Sequence, residues 1–345
     1  MALNFNYEWN LSDLKKVKSN NLKVFSCFSG SGGSTMGYKM AGYNTIGCLE
    51  IDPEMLKTYV SNLNPKLPIL DSIQTFKTKS SYPEELLNLD ILDGSPPCSV
   101  FSTCGKLDKK WGSEHKFREG QVSQRLDNLF FDFIDLGGRL RPKVMVAENV
   151  SGMLKGKVKG FTKEIINAYK KIGYTVQLFR LNGADMGLPQ KRVRVFFIAF
   201  RDDLNFPKLK LNFNEPWVAF RKIRSNKDGG REIPGFLLKW WKIRKPTDKF
   251  FGAMLKRETG KSSLFNYSIL HDNEVMRTIV ASNENQVLYD TPRYINLKEM
   301  TLGSSFPLDY KFKSDKHANY CMGMSVPPLM VYKISEQIAK QWFRM

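Results

Sequence analysis

The first 200 residues alternate short apolar runs with amphipathic stretches, and this alternation limits the possible folds more than any other feature of the sequence. Short apolar runs bounded by turn residues are typical of buried strands, and the patterns between several of them are helical. Strands that alternate with helices predict an α/β domain, with helices on both faces of a largely parallel sheet. The predicted strands cover residues 22–28, 45–51, 90–93, 144–148, 175–182 and 193–200.

The alternation ends near residue 200, which divides the chain. At 345 residues, the chain is longer than a single compact core usually grows. Residues 202–295 mix aromatic, basic and turn-forming residues without a regular period, and residues 325–342 return to an apolar helical pattern. We therefore expect a large domain at 1–201, a smaller irregular domain at 202–295, and a segment at 296–345 that leads the chain back to the large domain.

The chain is strongly basic, and the excess charge is concentrated. Its formal net charge is +19, and residues 205–265 contain 15 Lys or Arg against five Asp or Glu. Clustered cations gain affinity for polyanions by displacing counterions from phosphates, so a nucleic-acid partner is favoured over an evenly charged soluble surface. No apolar run approaches the roughly 20 residues of a membrane span, and the N-terminal sequence lacks a secretory signal pattern. A cytoplasmic protein is therefore expected.

Cysteine and histidine usage makes several kinds of site improbable. The five cysteines include no C-x-x-C pair, and the three histidines do not cluster. This pattern argues against a disulfide framework and against a metal site. Carboxylates or a thiol must therefore carry any chemistry, and no metal is expected.

Polar residues follow the predicted strands at positions where open α/β sheets bind ligands. Gly30, Gly32 and Gly33 follow the first strand, where they form either a tight structural turn or a loop whose backbone can approach a ligand. Glu50 lies about 20 residues further on, where an acidic side chain can bind ribose hydroxyls. Asp71 follows another strand end and is either a surface cap or a ligand for an amino group. Together these positions favour a nucleoside cofactor.

A thiol, a carboxylate and two guanidinium groups form a second set of candidates. Cys98 follows two prolines just beyond the third predicted strand, but free cysteines are often buried, so packing and reactive roles are both open. Glu148 ends the fourth strand, where a solvated carboxylate would be ordinary. Arg192 and Arg194 share one face if the chain is extended there, although exposed edge charges would give the same pattern.

Taken in their order along nearly the whole chain, these residues resemble the DNA cytosine-5 methyltransferase family of bacterial or phage type. The resemblance implies a Rossmann-like methyltransferase sheet, a target-recognition domain at 202–295, and S-adenosylmethionine as cofactor, with S-adenosylhomocysteine as its product. It assigns catalytic roles to Cys98, Glu148, Arg192 and Arg194. It assigns cofactor binding to Phe28, Ser29, Gly30, Gly32, Gly33, Glu50, Ile51, Asp71, Ser72, Pro97, Leu129 and Ser325.

The resemblance also implies a covalent mechanism. A Cys98 thiolate would add to C6 of cytosine and thereby activate C5, which is otherwise a poor nucleophile. Glu148 would hydrogen-bond N3 and the exocyclic amine through a protonated or proton-sharing carboxyl. Arg194 would contact O2, and Arg192 would brace the active-site loop. The target base must leave the duplex to reach such a pocket. Residues 99–124 are the expected mobile loop that fills the gap, and an ordered insertion unrelated to catalysis is the alternative.

The chain departs from the family pattern at three positions. Ser26 stands where the family has an Asp before the glycine loop, and Ser99 replaces the Gln that follows the nucleophile. Met324 replaces the usual Asn of the last motif. For this reason Ser325, and not Met324, is assigned to the cofactor.

Three functions are compatible with these features. The first is methylation of double-stranded DNA at a specific sequence by a monomer, with any cognate restriction endonuclease acting separately. Methylation of tRNA cytosine is the alternative within the same chemistry. The third is a catalytically silent nucleic-acid-binding protein of the same fold, against which the intact Cys98, Glu148 and Arg194 argue.

Overall fold

The computed structural model covers most of the chain, and its elements follow the predicted alternation. The described residues are 5–97, 114–115, 124–125, 128–154, 159–225, 229–261, 263–264, 267–281 and 285–344. The strands are β1 (Lys23–Cys27), β2 (Asn44–Glu50), β3 (Leu67–Leu70), β4 (Ile91–Gly94), β5 (Glu114–His115), β6 (Gln124–Arg125), β7 (Val144–Val150), β8 (Tyr174–Asn182), β9 (Val193–Arg201), β10 (Ser268–Leu270) and β11 (Gln286–Leu288). The α-helices are α1 (Gly33–Met40), α2 (Pro53–Leu63), α3 (Ile73–Phe76), α4 (Leu129–Leu140), α5 (Lys159–Lys171), α6 (Gly235–Lys242), α7 (Phe251–Thr259), α8 (Leu297–Gly303), α9 (Asp315–Met324) and α10 (Pro328–Trp342).

A seven-stranded sheet organises the first 200 residues. Its order is β3-β2-β1-β4-β7-β9-β8, so every predicted strand is present, and β3 is added at one edge. Neighbours from β3 to β7 are parallel, whereas β9 is antiparallel to both β7 and β8. The prediction of a Rossmann-like α/β sheet is confirmed. The reversal at β9 arises because β8 and β9 are joined as a hairpin and not through a crossover helix.

The chain divides into two compact units. The large unit comprises Ser12–Asn182, Val193–Asn212 and Pro328–Met345, and it contains the seven-stranded sheet. The small unit comprises Met1–Leu11, Gly183–Arg192 and Phe213–Pro327. The domain division expected from the sequence, at 201/202 and 295/296, stays a prediction.

Helix α10 belongs to the large unit, where it packs on α1. Gly37 lies at this contact, and a Cβ atom there would be 2.5 Å from the carbonyl oxygen of Pro328 and 2.6 Å from the Cβ of Val331. Close-packed helices cannot absorb such an overlap without moving apart. The apolar pattern near the C-terminus therefore forms a helix whose position depends on a glycine in α1.

The small unit has a hydrophobic core of its own, although its sequence shows no regular period. Side chains from helices and strands meet in this core, and it includes Leu237, Phe251, Met254, Ile269 and Val287. Strands β10 and β11 pair in parallel beside the helices α6 and α7. Aromatic side chains of this region, among them Trp240, Trp241 and Tyr289, pack against the core.

A buried ion pair supports the small unit. The Glu299 side chain is 0% exposed, and its two oxygens accept hydrogen bonds from Arg293 Nη1 and Nη2, each at 2.8 Å. Glu299 Oε2 also accepts from the Asn296 backbone, while the Asn296 side chain accepts from Glu299 N, which closes a capping box at the start of α8. The Ser225 backbone donates to Glu299 Oε1 at 3.2 Å. One carboxylate thus joins the chain around residue 225 to the segment 293–299.

Glu299→Gln is expected to lower the free energy of unfolding by about 3 to 5 kcal/mol, because it leaves the buried Arg293 charge without a counter-charge. Urea denaturation followed by tryptophan fluorescence measures the change. Glu258→Gln removes an exposed carboxylate from α7 and serves as the matched control, with an expected change below about 0.5 kcal/mol. Equal stability of the two variants would contradict this role for Glu299.

Candidate active site

The site begins at the point where the sheet order reverses. Strand β1 pairs in parallel with β2 on one side and with β4 on the other, so the chain leaves β1 in one direction and later returns on the opposite side. Loops at the carboxyl ends of strands flanking such a reversal diverge and open a crevice. The glycine loop follows β1 and the Ser95–Pro97 segment follows β4, so both lie at this edge.

The glycine loop after β1 has an unusual backbone. Phe28, Gly30 and Gly32 all have positive φ, at 52°, 51° and 81°. At Gly32 a Cβ atom would lie 2.3 Å from Leu63 Cδ1 and 3.0 Å from the ring of Tyr59, so glycine is required there by conformation and by space. Helix α1 begins at the next residue, and Gly32 provides no side-chain cap for it.

Glu50 holds this loop against the end of β2. Its Oε2 accepts a hydrogen bond from the Gly30 backbone at 2.7 Å, and its Oε1 accepts from Ile51 N and Asp52 N, each at 2.9 Å. Burial raises the pKa of the Glu50 carboxyl above its ordinary value, and these backbone donors oppose that shift. Glu50 therefore shapes the loop, in addition to the ligand role expected from the sequence.

Asp71 and Ser72 lie where β3 gives way to α3. Asp71 Oδ1 accepts from Ser72 N at 2.8 Å, and Asp71 Oδ2 lies 3.2 Å from Lys79 Nζ. The Ser72 hydroxyl accepts from Thr75 N and so caps the short helix α3. Both residues have the local roles of a cap, and the ligand role remains a prediction.

The turn that leads to the expected nucleophile is tied to the neighbouring strand. Asn149, which is buried near the end of β7, donates from Nδ2 to the Pro96 carbonyl at 3.1 Å and accepts from Val150 N at 2.8 Å. Pro97 is the last described residue before Cys98, which lies outside the described residues together with Ser99. The sequence did not single out Asn149, and this hydrogen bond gives it a positioning role.

Only fragments of the expected mobile loop at 99–124 are described. Glu114 and His115 pair with Arg125 and Gln124 in the antiparallel strands β5 and β6. The rest of that prediction lies outside the described residues.

Glu148 and Arg194 form an ion pair on adjacent antiparallel strands. Arg194 pairs in register with Val150, two residues beyond Glu148, so the two charged side chains lie on the same face of β7 and β9. Arg194 Nε is 2.9 Å from Glu148 Oε1, and the side chains are only 15% and 13% exposed. Among the described residues, Glu148 Oε2 and Arg194 Nη2 have no hydrogen-bond partner. Within the described part of the chain, the pair therefore has one acceptor and one donor to offer a ligand.

Arg192 has a different environment from Arg194. It precedes β9, belongs to the small unit and is 1% exposed. Its Nη1 donates to the Ile279 carbonyl at 3.0 Å, and its Nη2 donates to the carbonyls of Gly323 and Ser325 at 2.8 and 2.7 Å. Arg192 thus joins the segment around residue 279 to the end of α9. That it also braces the active-site loop stays a prediction.

Two further predicted cofactor residues lie at helix ends. Leu129 is fully buried at the start of α4. Ser325 caps the C-terminus of α9 by donating from its backbone to the Cys321 carbonyl, and the preceding Met324 is exposed.

Gly323 approaches the backbone of Ala281 so closely that a Cβ atom would lie 2.3 Å from its nitrogen. The glycine of the last motif is therefore required for packing inside the small unit.

Asp93 is a buried carboxyl that the sequence did not single out. It lies on β4 in register with Ser26 of β1, is 5% exposed, and accepts a hydrogen bond from Tyr38 Oη at 3.2 Å. Burial raises the pKa of Asp93 to about 7; the nearby Glu148 charge adds to this shift, whereas hydrogen bonds from Ser26 and Tyr38 oppose it. Ser26 could have indicated Asp93 from the sequence, because Ser26 stands where the family has an Asp. In this chain the carboxyl lies on the neighbouring strand, in register with Ser26.

Asp93→Asn is expected to weaken the pH dependence of stability. A raised pKa means that the folded protein retains a proton that the unfolded chain has lost, so the Asp93 contribution is complete at low pH and disappears as the pH rises towards 7. Between pH 5 and pH 8, the variant should gain roughly 3 kcal/mol relative to wild type. Urea denaturation at both pH values measures this gain, and parallel pH profiles for the two proteins would contradict it.

Two kinds of feature are absent from the described residues. None of their helices has the length and apolarity to cross a membrane. No group of three or more His, Cys, Asp or Glu side chains there could hold a metal ion, and the described cysteines Cys27, Cys48 and Cys321 are free thiols.

One protein family matches nearly the whole chain. The family model described as C-5 cytosine-specific DNA methylase matches residues 22–340. This span contains the glycine loop, the Glu148–Arg194 pair, Arg192, Ser325 and the position of Cys98.

Curated relatives match either somewhat more than half of the chain or most of it. The chain is 33% identical over 203 residues to Type II methyltransferase M.FnuDI of Fusobacterium nucleatum, which covers 59% of this chain and 53% of that protein. It is 31% identical over 342 residues to Type II methyltransferase M.Sau96I of Staphylococcus aureus, which covers 92% of this chain and 75% of that protein. The chain thus spans about half the length of some relatives and three quarters of others.

Solved structures share the fold at low sequence identity. A DNA modification methyltransferase encoded within an E. coli prophage superposes with a TM-score of 0.67 at 20% identity, covering 93% of this chain and 99% of that one. Spodoptera frugiperda DNMT2 superposes with a TM-score of 0.62 at 16% identity, covering 92% and 99%. At these identities the likeness establishes the fold alone.

Proposed function

Because the chain belongs to the C-5 cytosine-specific DNA methylase family, we propose that it transfers a methyl group to C5 of a cytosine flipped out of duplex DNA at a specific sequence. The observation that carries this proposal is the Glu148–Arg194 pair, which lies at the edge of the sheet where ligands bind and keeps one acceptor and one donor available. A cytosine presents the matching groups, an exocyclic amine and O2.

The residues at the strand ends fit S-adenosylmethionine as cofactor. Helix α1 begins without a side-chain cap, so its first backbone N–H groups can receive a carboxylate such as that of a methionine moiety. Glu50 at the end of β2 and Asp71 after β3 offer carboxylates for ribose hydroxyls and an adenine amine. Ser29, Ile51, Ser72, Pro97, Leu129 and Ser325 complete the proposed set of cofactor residues. When bound, S-adenosylmethionine supplies the electrophilic methyl group.

In the proposed chemistry, Cys98 is the nucleophile. Its thiolate adds to C6, and the electron pair of the C5–C6 bond moves towards C5 and the ring. Glu148 takes up a proton from solvent as the base binds, donates it to N3 as charge builds there and accepts a hydrogen bond from the exocyclic amine. Arg194 donates to O2. After C5 is methylated, loss of the C5 proton to a base expels the Cys98 thiolate. N3 then returns its proton to Glu148, which leaves a neutral aromatic ring.

Positioning depends on side chains that do not touch the base. Asn149 holds the Pro96 carbonyl and so limits where the following Cys98 can lie. Arg192 joins Ile279 to the end of α9 and so stabilises the small unit, which we propose contains the target-recognition region. A misplacement of reacting groups by about 1 Å can cost roughly 10²-fold in rate, so such contacts matter for turnover.

The proposed substrate is double-stranded DNA bound by a monomer. The basic excess between residues 205 and 265 suits contact with phosphates. Extrusion of the base costs a few kcal/mol in lost stacking, which protein contacts must offset. A cognate restriction endonuclease, where present, would act as a separate protein on the same sequence.

Transfer of label from S-adenosylmethionine to duplex DNA or to tRNA tests the proposal. Label is expected in DNA and not in tRNA, and bisulfite sequencing of DNA from cells that express the protein should show 5-methylcytosine within one short sequence. Label confined to tRNA would replace the DNA proposal with the RNA alternative. Absence of label from both, with S-adenosylmethionine bound, would favour a catalytically silent protein.

A further inference from the structure

The small unit contains a cationic pocket that none of the roles proposed above uses. Its volume is about 240 Å³, and its polar lining comes from Lys191, Lys249, Asn273, Glu274 and Arg277. Exposed Trp217 forms one aromatic wall, with Ile269, Leu270 and Val275 among the apolar lining. The lining contains three cations and one carboxylate, so an anion is the ligand class it suits.

Two of the three cations are not neutralised by a neighbouring carboxylate. Lys249 Nζ lies 2.8 Å from Glu274 Oε1 and forms an ion pair. Lys191 Nζ instead lies over the Trp217 ring at 4.5 Å, and the Arg277 guanidinium lies over the Phe250 ring at 3.9 Å. Among the described residues, neither of these two cationic groups makes a hydrogen bond or an ion pair. Burial lowers the pKa of Arg277, and the negative charge of nearby Glu274 opposes this shift without cancelling it.

The backbone of Lys191 is firmly held. Its N–H donates to the Met276 carbonyl at 2.8 Å, and its own carbonyl accepts from Thr278 Oγ1 at 2.6 Å. Lys191 is therefore attached directly to both residues that flank Arg277, which brings the two cationic side chains to the same pocket.

Arg277 and Trp217 are also fixed in place. Fully buried Gln286 accepts from Arg277 N at 2.8 Å and donates to the Arg277 carbonyl at 3.0 Å. The Trp217 indole N–H donates to Asp185 Oδ1 at 2.7 Å. A site whose groups are held in place before binding loses less entropy when it takes up a ligand.

We propose that this pocket binds one backbone phosphate of duplex DNA, with Lys191 and Arg277 as its shared ligands and Trp217 as the wall that packs on the deoxyribose. The proposal rests on the proposed action on DNA. Lys191 is the residue before Arg192, so the phosphate contact is connected by one peptide bond to a predicted catalytic motif. Contact with a phosphate positions the duplex but does not read its sequence.

Equilibrium binding of a fluorescent duplex, measured by anisotropy across a range of NaCl concentrations, tests the pocket. The double variant Lys191→Gln/Arg277→Gln is compared with wild type and with Lys170→Gln/Lys171→Gln, which removes two charges from the last turn of α5 in the large unit. The pocket variant should bind about tenfold more weakly at moderate salt. Its slope of log K against log[NaCl] should fall by about 0.9, the value for one phosphate. The loss should be equal for duplexes of different sequence.

The outcomes separate the pocket from the proposed function. If wild type binds duplex DNA and the pocket variant behaves like the α5 control, the pocket proposal is wrong while the substrate stands. A slope change near 1.8 would indicate two separate phosphates and refute a shared site. A loss confined to one sequence would indicate base reading and refute a phosphate site. If wild type does not bind duplex DNA at any salt concentration, both the substrate and the pocket proposal fail.

Discussion

Cys98→Ser is expected to lower methyl transfer to duplex DNA by at least about 10⁴-fold, because removal of a covalent nucleophile eliminates the main catalytic route. A serine hydroxyl is scarcely ionised at neutral pH and adds poorly to C6, whereas a thiolate is a strong nucleophile. Label transfer measures the rate under single-turnover conditions. Cofactor binding, measured by calorimetry, should be unchanged because the loop after β1 is intact.

A trapping experiment distinguishes the proposed covalent role of Cys98 from a structural one. Fluorine at C5 of the target cytosine cannot leave as a proton does, so the adduct should persist and appear as a slower protein band on a denaturing gel. Wild type and Cys321→Ser, which alters a buried thiol in α9, should both form it. Cys98→Ser should not. An active wild-type enzyme without an adduct would refute the covalent mechanism.

Glu148→Gln is expected to lower kcat by about 10³ to 10⁴-fold and to change KM little. A glutamine amide can still form hydrogen bonds to N3 and to the exocyclic amine, so binding of the ground state survives. It cannot deliver a proton to N3 as charge builds in the ring, and it leaves Arg194 without its counter-charge. Steady-state kinetics with a duplex of known target sequence separate the two parameters.

Glu164→Gln, an exposed change on α5, is the matched control for Glu148→Gln and should leave both parameters near wild type. A kcat within about threefold of wild type for Glu148→Gln would remove Glu148 from its proposed role. A raised KM with an unchanged kcat would instead mean that Glu148 binds the base equally well in the ground state and in the transition state.

Local sequence patterns were sufficient to predict the strands and the glycine loop of the large unit. Apolar runs predicted the inner strands because a strand that is buried on both faces must be apolar along much of its length. The edge strand β8 was also predicted, although much of it is only partly buried. Gly30, Gly32 and the prolines before Cys98 likewise indicate turns, because the backbone conformations that glycine allows and proline requires depend on the residue itself. The order of these residues along the chain then connected the local signals to one family, which the match over residues 22–340 confirms.

Long-range pairing decided what the local patterns could not show. The boundary residues Gly183–Arg192 belong to the small unit because Lys191 pairs with Met276, a partner 85 positions away. Arg192 and Arg194 are two residues apart in sequence, yet one braces backbone carbonyls in the small unit and the other pairs with Glu148 in the large unit. No periodic pattern in the sequence indicates which distant residues these side chains contact.

The sequence by itself determined the alternation of strands and helices, the positions of the loops at the strand ends and the residue types that they carry. Only the tertiary structure showed that Glu50 holds the glycine loop, that Asp93 is a buried carboxyl beside Ser26, and that Lys191 and Arg277 share a pocket. The physical reason is that burial and electrostatic environment depend on which distant segments pack together, whereas the preference for a strand, a helix or a turn depends mainly on neighbouring residues.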